Sequence, residues 1–283
     1  MKEFAKTPWR IIHTKPAHGA WNMAIDEAIL EAVGTGMVLS TLRLYGWIPP
    51  CLSLGYAQPF SDVDLESLSS HGWELVRRPT GGKAILHTDE LTYSIITSND
   101  EPRLKGGVLE SYNHVALALS HALQLLRIPA NLVDKTNEIK SETQENQVKR
   151  HNPVCFDVPS NYELSVGGKK IIGSAQSRRS IGIMQHGTLP LSGDITRITQ
   201  VLSFEDDPSR QRAILDLLAH ATTAETVLGY PLEWSVAAEA FCNAFQEVLN
   251  LEFLHSSLTP EELSRAEVLV RDKYASQAWT MRI

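Results

Sequence analysis

Residues 41–97 most constrain what this chain can fold into. Short runs rich in Leu, Ile, Val, Tyr and Thr alternate there with breakers such as Gly46, Gly55 and the pair Gly81 and Gly82. Such runs, bounded by glycine and proline, are typical of β-strands. Because segments of helical spacing lie on either side, the sequence predicts one α/β unit of the α+β kind rather than a helical bundle or an all-β barrel.

Helical patterns precede and follow this strand-rich stretch. Apolar residues of segments 21–33 and 109–126 fall on one helix face, and the same spacing recurs in 235–249. We expect residues 1–283 to form a single unit, with a catalytic domain over 36–250 and helical extensions at the N and C termini.

The last helix has a recognisable start. Thr259 is suited to the N-cap, Pro260 to the first helical position and Glu262 to the third, which together indicate a capping box. We expect this helix to extend to about Tyr274.

Composition narrows the function. The chain has 283 residues, 43% hydrophobic and 21% charged, with a net charge of -7, which argues against a general nucleic-acid binder. Its start has no apolar core of signal-peptide length, and no apolar run is long enough for a membrane helix. We expect a cytoplasmic protein that binds neither nucleic acid nor membrane, with a monomer as the default.

Several common enzyme signatures are absent from the sequence. The three cysteines, Cys51, Cys155 and Cys242, show no C-x-x-C spacing, so neither a zinc site nor a redox pair is predicted. A P-loop is excluded because Arg77 stands where it needs glycine and Ala84 where it needs a hydroxyl. There is no G-x-S-x-G or H-E-x-x-H motif.

A glycine turn between two predicted strands offers a binding site. Paired glycines Gly81 and Gly82 allow a ligand to approach the backbone closely. Arg78 and Lys83 flank the turn as groups for an anion or a carbonyl oxygen, and His87 follows.

Cys155 and Lys170 form a candidate catalytic pair, fifteen residues apart. A free thiol has a pKa of about 8.5, and a nearby ammonium lowers it and supplies the thiolate that attacks carbonyls. Gly167 and Gly168 match a two-residue hairpin turn, which places Lys170 on the return strand. The polar segment 134–152 is predicted to be a long loop that leads into Cys155. The pair therefore indicates acyl transfer.

Five ordered motifs resemble the lipoyl and biotin protein ligase superfamily. They are residues 22–27 (NMAIDE), 77–87 (RRPTGGKAILH), 90–94 (ELTYS), 168–176 (GKKIIGSAQ) and 185–189 (QHGTL). Within that superfamily, residues 153–156 (PVCF) resemble the octanoyl-[acyl-carrier-protein]:protein N-octanoyltransferases of the LipM type, in which the cysteine precedes the lysine.

The resemblance implies a mixed β-sheet flanked by helices, as in the catalytic domain of biotin ligase. It assigns Cys155 as the acyl-thioester nucleophile and Lys170 as the group that lowers the cysteine pKa and holds the oxyanion, with nearby backbone N–H groups. The substrate-binding residues that it implies are Arg78, Gly81, Gly82, Lys83, His87, Gly173, Ser174, Ala175, Gln176, His186, Gly187 and Thr188. Lys83 stands where glycine or arginine is usual, and Thr88 where an acidic residue is expected.

The implied reaction moves octanoyl from octanoyl-acyl carrier protein through a cysteine thioester to a lysine of a lipoyl domain, such as the H protein of the glycine cleavage system. No cofactor and no metal are implied. His87 or His186 is a candidate base for the acceptor lysine. Six basic residues are expected to steer acidic partner domains: Arg77, Arg78, Lys169, Lys170, Arg178 and Arg179. Three alternatives stay open: an ATP-dependent lipoate or biotin protein ligase, an amidotransferase between lipoyl domains, and an acyl-binding protein without turnover.

Overall fold

The computed structural model describes residues 4–134 and 162–283. Cys155 and nearly all of the predicted loop 134–152 lie outside these residues. The described strands are β1 (Thr7–His13), β2 (Thr41–Tyr45), β3 (Cys51–Leu54), β4 (Glu74–Arg77), β5 (Ile85–His87), β6 (Glu90–Thr97), β7 (Asn131–Asp134), β8 (Tyr162–Val166), β9 (Lys169–Arg179), β10 (Gly182–Pro190) and β11 (Leu251–His255). The described helices are α1 (Gly19–Gly34), α2 (Leu65–Ser70), α3 (Val108–Leu125), α4 (Asp207–His220), α5 (Ala224–Leu228), α6 (Trp234–Val248), α7 (Pro260–Leu269) and α8 (Gln277–Thr280).

Two sheets organise the described part of the chain. The larger has eight strands in the order β11-β1-β2-β6-β10-β9-β8-β7, and the smaller has three in the order β4-β3-β5. β1 pairs in parallel with β11 and β2, whereas the pairs from β2 through β6, β10 and β9 are antiparallel. The prediction of a mixed sheet flanked by helices is therefore confirmed.

Each face of the large sheet has its own helical layer. Alternate side chains of β6 point to opposite faces, so that Tyr93 packs with α3 and α6 whereas Ile96 packs with α1 and α7. Strand β10 lies at the centre of the sheet and contributes to both layers. A third cluster joins the small sheet to α4 and to a 3₁₀ helix at Ile195–Gln200.

Local sequence patterns predicted several of these elements. Gly167 and Gly168 have φ of 57° and 82°, as the predicted hairpin turn between β8 and β9 requires. Thr259 and Glu262 form the predicted capping box at α7, and a π-helical turn continues to Tyr274. The three other predicted helices correspond to α1, α3 and α6.

The chain ends add strands to the large sheet that the hydrophobic pattern did not single out. Strands β1 and β11 lie at one edge of it, outside the predicted 36–250 domain. Residues on both sides of that boundary thus share one sheet, and the division at 36 and 250 stays a prediction.

Candidate active site

A cavity opens on the α1 side of the large sheet, where the small sheet covers it. Its volume is about 510 Å³ counted to its open mouth. The lining residues are Met23, Tyr45, Trp47, Ser53, Arg78, Gly81, Gly82, Ile85, His87, Thr92, Lys170, Gly173, Ser174, Ala175, His186, Gly187 and Thr188. Both sheets, α1 and the glycine turn thus all contribute residues to the cavity wall.

This cavity brings together nearly all the residues that the sequence motifs predicted. Of the predicted set within the described part of the chain, only Lys83 and Gln176 are missing from the lining. Cys155 lies outside the described residues. The motifs are far apart in sequence, so the fold rather than local spacing assembles the site.

Lys170 is held on β9 with its side chain at the cavity. The residue is only 6% exposed, and its backbone oxygen accepts a hydrogen bond of 3.0 Å from the Thr222 N–H. A Cβ atom added to Gly173 would lie 3.9 Å from Lys170 Cε, so the lysine stem passes over this glycine. The ammonium is therefore carried by a rigid strand, as the sequence predicted.

Arg78 organises the glycine turn from inside. Its Nη2 donates to the backbone oxygens of Gly81 (2.8 Å) and Lys83 (2.7 Å), and its Nε also donates to Gly81. Its Nη1 donates to the backbone oxygen and the hydroxyl of Ser53. We expected Arg78 and Lys83 to be available to an anionic ligand, but the guanidinium N–H groups are directed at the turn itself and Lys83 contributes its carbonyl.

The backbone requires glycine at two positions here, one within the turn and one in the loop that packs against it. Gly82 has a φ of 90°, which favours glycine. A Cβ atom on Gly55 would lie 1.7 Å from the Gly82 oxygen, so no side chain fits there. Gly55 was not among the predicted site residues, because the close approach of two loops leaves no local sequence signal.

His87 lies in a chain of hydrogen bonds along the cavity wall. Its Nδ1 is 2.7 Å from Glu90 Oε1, and its Nε2 is 2.8 Å from Ser53 Oγ. The Trp47 ring stacks on the imidazole with centroids 3.9 Å apart. Thr92 Oγ1 donates to the same Glu90 oxygen and accepts from Trp47 Nε1. One face of the imidazole and both of its nitrogens thus have partners before any ligand binds.

His186 faces the cavity from β10. Its Nε2 is 2.7 Å from Thr80 Oγ1, and its Nδ1 lies 3.9 Å from Asp26 Oδ2. Burial lowers the pKa of His186 below its ordinary value, although Asp26 opposes this shift. The imidazole is therefore neutral at physiological pH and can accept a proton.

Asp26 belongs to a buried polar network behind the cavity. The Arg43 guanidinium donates to Asp26 Oδ1 at 2.7 Å and to Asn22 Oδ1 at 2.7 Å, and the Tyr45 hydroxyl donates to Asp26 Oδ2 at 3.0 Å. Burial raises the pKa of Asp26, but Arg43 and His186 outweigh burial and hold it below the ordinary range. The carboxylate is thus ionised inside the protein and fixes the strand that carries Tyr45.

Strands β9 and β10 approach closely at the cavity floor. A Cβ atom on Gly187 would lie 2.5 Å from the Gly173 oxygen and 2.8 Å from Ser174 Oγ. Tyr93 from the opposite face donates to or accepts from Ser174 Oγ at 2.7 Å. The side-chain position of Gly187 is therefore filled by neighbouring atoms, whereas a Cβ atom on Gly173 would come no closer than 3.9 Å to Lys170 Cε, so that space over Gly173 is left for a ligand.

Gln176 points elsewhere than the sequence predicted. Its Nε2 donates to Gln185 Oε1 at 2.9 Å and to Ser111 Oγ at 3.2 Å, while its Oε1 accepts from Arg178 Nε at 2.8 Å. These bonds tie β9 to the start of α3. A substrate contact by Gln176 stays a prediction.

The predicted basic surface is smaller than expected. Arg77 is 0% exposed and Arg78 is 3% exposed, because both side chains donate to backbone oxygens within the fold. Lys170 is also buried. Of the six residues, Lys169, Arg178 and Arg179 have exposed area that a partner domain can reach.

Other cavity residues were missed by sequence reasoning. They are Met23, Tyr45, Trp47, Ser53, Ile85 and Thr92. Three of them, Met23, Ile85 and Thr92, lie inside motifs that carried the resemblance, so their place in those motifs was a usable signal. Ser53 and Trp47 lie in ordinary strand-like sequence without one.

Metal chemistry finds no support in the described residues. Within residues 4–134 and 162–283, no group of three or more His, Cys, Asp or Glu side chains is placed to hold a metal ion. In the same ranges, no helix is long and apolar enough to cross a membrane.

The two cysteines other than Cys155 lie in structural settings. Burial raises the pKa of the Cys51 thiol well above its ordinary value and that of the Cys242 thiol to about 11.

The cavity therefore combines a buried lysine, a neutral imidazole, open space over Gly173 and apolar walls. Such a site suits an acyl group whose carbonyl lies near the lysine.

Comparison with known proteins agrees with this arrangement. The family model of the lipoyl protein ligase A/B catalytic domain matches residues 18–246. The chain is 41% identical to octanoyltransferase LipM of Brevibacillus brevis, over 97% of this chain and 99% of that protein. It is 38% identical to octanoyltransferase LipM of Symbiobacterium thermophilum, over 98% of this chain and 99% of that protein.

Solved structures share the fold at lower identity. A bipartite lipoate protein ligase from Thermoplasma acidophilum, described with its E2 lipoyl domain, has a TM-score of 0.78 at 21% identity and covers 97% of this chain and 96% of that chain. A lipoate-protein ligase A bound with ATP has a TM-score of 0.75 at 23% identity and covers 98% and 99%. The chain belongs to the lipoyl protein ligase A/B catalytic-domain family, among its octanoyltransferases of the LipM type.

Proposed function

We propose that this protein is a cytoplasmic acyltransferase that moves octanoyl from octanoyl-acyl carrier protein to Cys155 and then to a lysine of a lipoyl domain, in lipoate biosynthesis. The observation that carries the proposal is Lys170, buried on β9 with its stem across Gly173 in the cavity. The similarity to octanoyltransferases over nearly the full chain supports the same reaction. No cofactor takes part in the proposed reaction.

The first step is a thioester exchange. The Cys155 thiolate attacks the octanoyl carbonyl, the new C–S bond forms, and the C–S bond to the carrier breaks. The leaving thiolate takes up the proton that Cys155 gave up. Lys170 and the open backbone near Gly173 stabilise the oxyanion. Because one thioester replaces another, ATP is not needed.

The second step makes an amide. The acceptor amine attacks the acyl-enzyme carbonyl, a C–N bond forms, and Cys155 leaves as a thiolate. An acceptor ammonium loses two protons in total, of which one returns to the sulfur and one reaches solvent. The ordinary pKa of lysine is about 10.4, so a base near the carbonyl assists. His186 suits that role because its lowered pKa keeps it neutral, and His87 is the other candidate.

The walls of the cavity also suit an apolar substrate chain. Met23, Trp47 and Ile85 provide apolar wall in a space of about 510 Å³. At about 0.8 kcal/mol per buried methylene, an octanoyl chain gains roughly 5 kcal/mol on burial. Each missing methylene therefore lowers affinity by roughly fourfold. The selectivity for chain length is graded rather than absolute.

The acceptor proposed is a lipoyl domain such as the H protein of the glycine cleavage system. A relative in fold was described with its E2 lipoyl domain, which supports an acceptor of this class. A monomeric enzyme and the 36–250 domain division stay predictions.

Intact-protein mass spectrometry tests the proposal. The wild type, Cys155→Ala and the matched control Cys242→Ala are mixed with octanoyl-acyl carrier protein without ATP, and an apo H protein is then added. We expect a hydroxylamine-labile octanoyl adduct on the wild type and on Cys242→Ala, discharged onto the acceptor, and no adduct on Cys155→Ala.

Other outcomes identify the alternatives. Acceptor modification that requires free octanoate and ATP indicates a ligase. An adduct that forms from an octanoylated lipoyl domain, but not from the carrier protein, indicates an amidotransferase. Bound acyl group without transfer indicates a binding protein.

A further inference from the structure

A second cavity adjoins the first and shares two wall residues with it. Its volume is about 500 Å³ counted to its open mouth, and Ile85 and Thr188 line both cavities. The turn between β5 and β6, the end of β10 and the 3₁₀ helix Ile195–Gln200 form the rest of its wall. A ligand entering here therefore meets the first cavity at Ile85 and Thr188.

Carboxylates dominate the second cavity. Asp89 and Asp194 are exposed at its rim, and Glu90 is buried deeper with 6% exposure. Among its described lining residues, Arg197 is the one permanent cation, and its Nη2 already pairs with Asp89 Oδ2 at 2.6 Å. Three carboxylates against one guanidinium make this entrance attractive to a cation.

A buried hydroxyl marks the place where the two cavities meet. Thr188 is 2% exposed, and its Oγ1 has no hydrogen-bond partner among the described residues. Thr188 lies two residues after His186 on β10, so both side chains project to the same face of the sheet. Buried hydroxyls are normally paired, and an unpaired one at a cavity wall points to a polar ligand group.

Glu90 connects the charged entrance to the first cavity. Its Oε1 accepts from Thr92 Oγ1 at 2.6 Å and lies 2.7 Å from His87 Nδ1. His87 lines the first cavity while Glu90 lines the second. The two residues thus form a hydrogen-bonded pair between the entrance and the acyl site.

We infer that the second cavity admits the side chain of the acceptor lysine, with Asp89 and Asp194 attracting its ammonium and Thr188 Oγ1 accepting a hydrogen bond from its amine at the junction with the acyl site. This inference rests on the proposed function. The covalent step is the one already written: the C–N bond forms, the C–S bond to Cys155 breaks, one amine proton returns to sulfur and one reaches solvent.

The charge of the cavity excludes the other substrate from this entrance. A carrier arm attached through a phosphodiester is anionic, and three carboxylates oppose it. The octanoyl chain itself gains more from the apolar walls of the first cavity. The acceptor lysine is the substrate group whose charge matches the second cavity.

The decisive experiment separates the two half-reactions. Thr188→Val removes the hydroxyl at nearly constant shape, and Thr188→Ser is the matched control that keeps it. Rapid-quench mass spectrometry measures acyl-enzyme formation from octanoyl-acyl carrier protein, then its discharge to apo H protein and, separately, to hydroxylamine. Because Thr188 also lines the acyl cavity, the test is a ratio: we expect Thr188→Val to lower discharge to the H protein about tenfold more than it lowers acylation or hydroxylamine discharge. Thr188→Ser should restore most of the rate.

A charge test addresses the rim. Asp194→Asn keeps a residue that caps the following 3₁₀ helix but removes its charge, and Asp100→Asn removes an exposed charge outside both cavities. We expect Asp194→Asn to raise the KM for the H protein about threefold at low salt, with a smaller effect at high salt, and Asp100→Asn to leave it unchanged.

The outcomes are distinguishable. If Thr188→Val slows acylation and discharge equally, or slows neither, the lysine does not pass Thr188 and the inference is wrong while the proposed function stands. If the wild type forms no acyl-enzyme, the proposed function fails and the inference fails with it.

Discussion

The two faces of the eight-stranded sheet are built on different principles. On one face, Tyr93 packs against Phe241 and Phe245 with ring centroids 6.0 Å apart, in a layer of apolar residues from α3 and α6. On the other face, α1 buries ions: Arg43 with Asp26, and Lys273 with Glu27. The active-site cavity opens on this second face.

The two faces therefore contribute differently: the apolar face mainly stabilises the fold, and the face with buried ion pairs mainly holds side chains and strands in position. Apolar packing stabilises in proportion to buried area and tolerates changes of shape that conserve volume. A buried ion pair contributes little net stability, but the loss of one partner leaves a charge without compensation. The α1 face therefore fixes the strands behind the cavity in one arrangement, and five substitutions test this contrast.

The largest effect is expected for Arg43→Met. This change leaves the Asp26 carboxylate and the Asn22 amide oxygen buried without their guanidinium donors. We expect the free energy of unfolding to fall by about 3–5 kcal/mol, measured by urea denaturation. The double variant Arg43→Met with Asp26→Leu should recover part of the loss, and a loss as large as in the single variant would contradict the account.

A smaller effect is expected for Phe241→Leu on the apolar face. Leucine conserves most of the volume between Phe245 and Tyr93, so we expect a loss of about 1.5 kcal/mol in the same assay. Acyl-enzyme formation, measured below the unfolding transition, should stay near the wild-type rate. A strong loss of that rate would show that the apolar face also positions the site.

Thr259→Ala should cost about 1 kcal/mol. The Thr259 hydroxyl accepts from the Glu262 N–H at 3.2 Å at the start of α7, which packs on α1. Thr259→Ser keeps the cap and serves as the control. Equal unfolding free energies for the two variants would contradict a stabilising role of this cap.

Near neutral pH a smaller effect on stability is expected from His186. Its pKa in the folded protein is lowered by burial, so the unfolded chain binds more protons below the ordinary pKa of about 6.5. The stability is therefore fully present above that pH and is lost as the pH falls below it. We expect His186→Gln to flatten the dependence of unfolding free energy on pH between about 7 and 5.

His13 supplies the matched comparison from the α6 side. It is beside Trp234 and Cys242, and burial also lowers its pKa, with a contribution from His255. Because His13 is exposed whereas His186 is buried, His13→Gln should flatten the same curve less than His186→Gln does. The reverse order would contradict the contrast between the faces.

Local patterns predicted the elements whose signals are local. The hairpin at Gly167 and Gly168 and the capping box at Thr259 depend on residues adjacent in sequence, and both are found. Strand β1 was not predicted, because Arg10 interrupts its apolar pattern. Arg10 is buried only because Glu262, far along the chain, receives its guanidinium at hydrogen-bond distance. Tertiary partners of this kind leave no local trace.

The site shows the same division between local and distant information. Lys170, His87 and His186 were predicted from motifs and meet at one cavity. The directions of Arg78 and Gln176 were not predictable, since they depend on how close Ser53 and Ser111 come in the fold. The sequence was enough to identify which residues belong to the site. The hydrogen-bond acceptors of their side chains could be found only in the structure.

The hydrogen bonds that Arg78 makes within and beside the glycine turn have a consequence for inhibitor design. All the N–H groups of Arg78 already have acceptors within the turn or on Ser53. A carboxylate aimed at this guanidinium would have to compete with the loop that shapes the pocket, and would gain little for the cost of its own dehydration. A compound for this pocket is better built as an apolar chain ending in a neutral electrophile beside Lys170, with selectivity sought at the junction lined by Ile85 and Thr188.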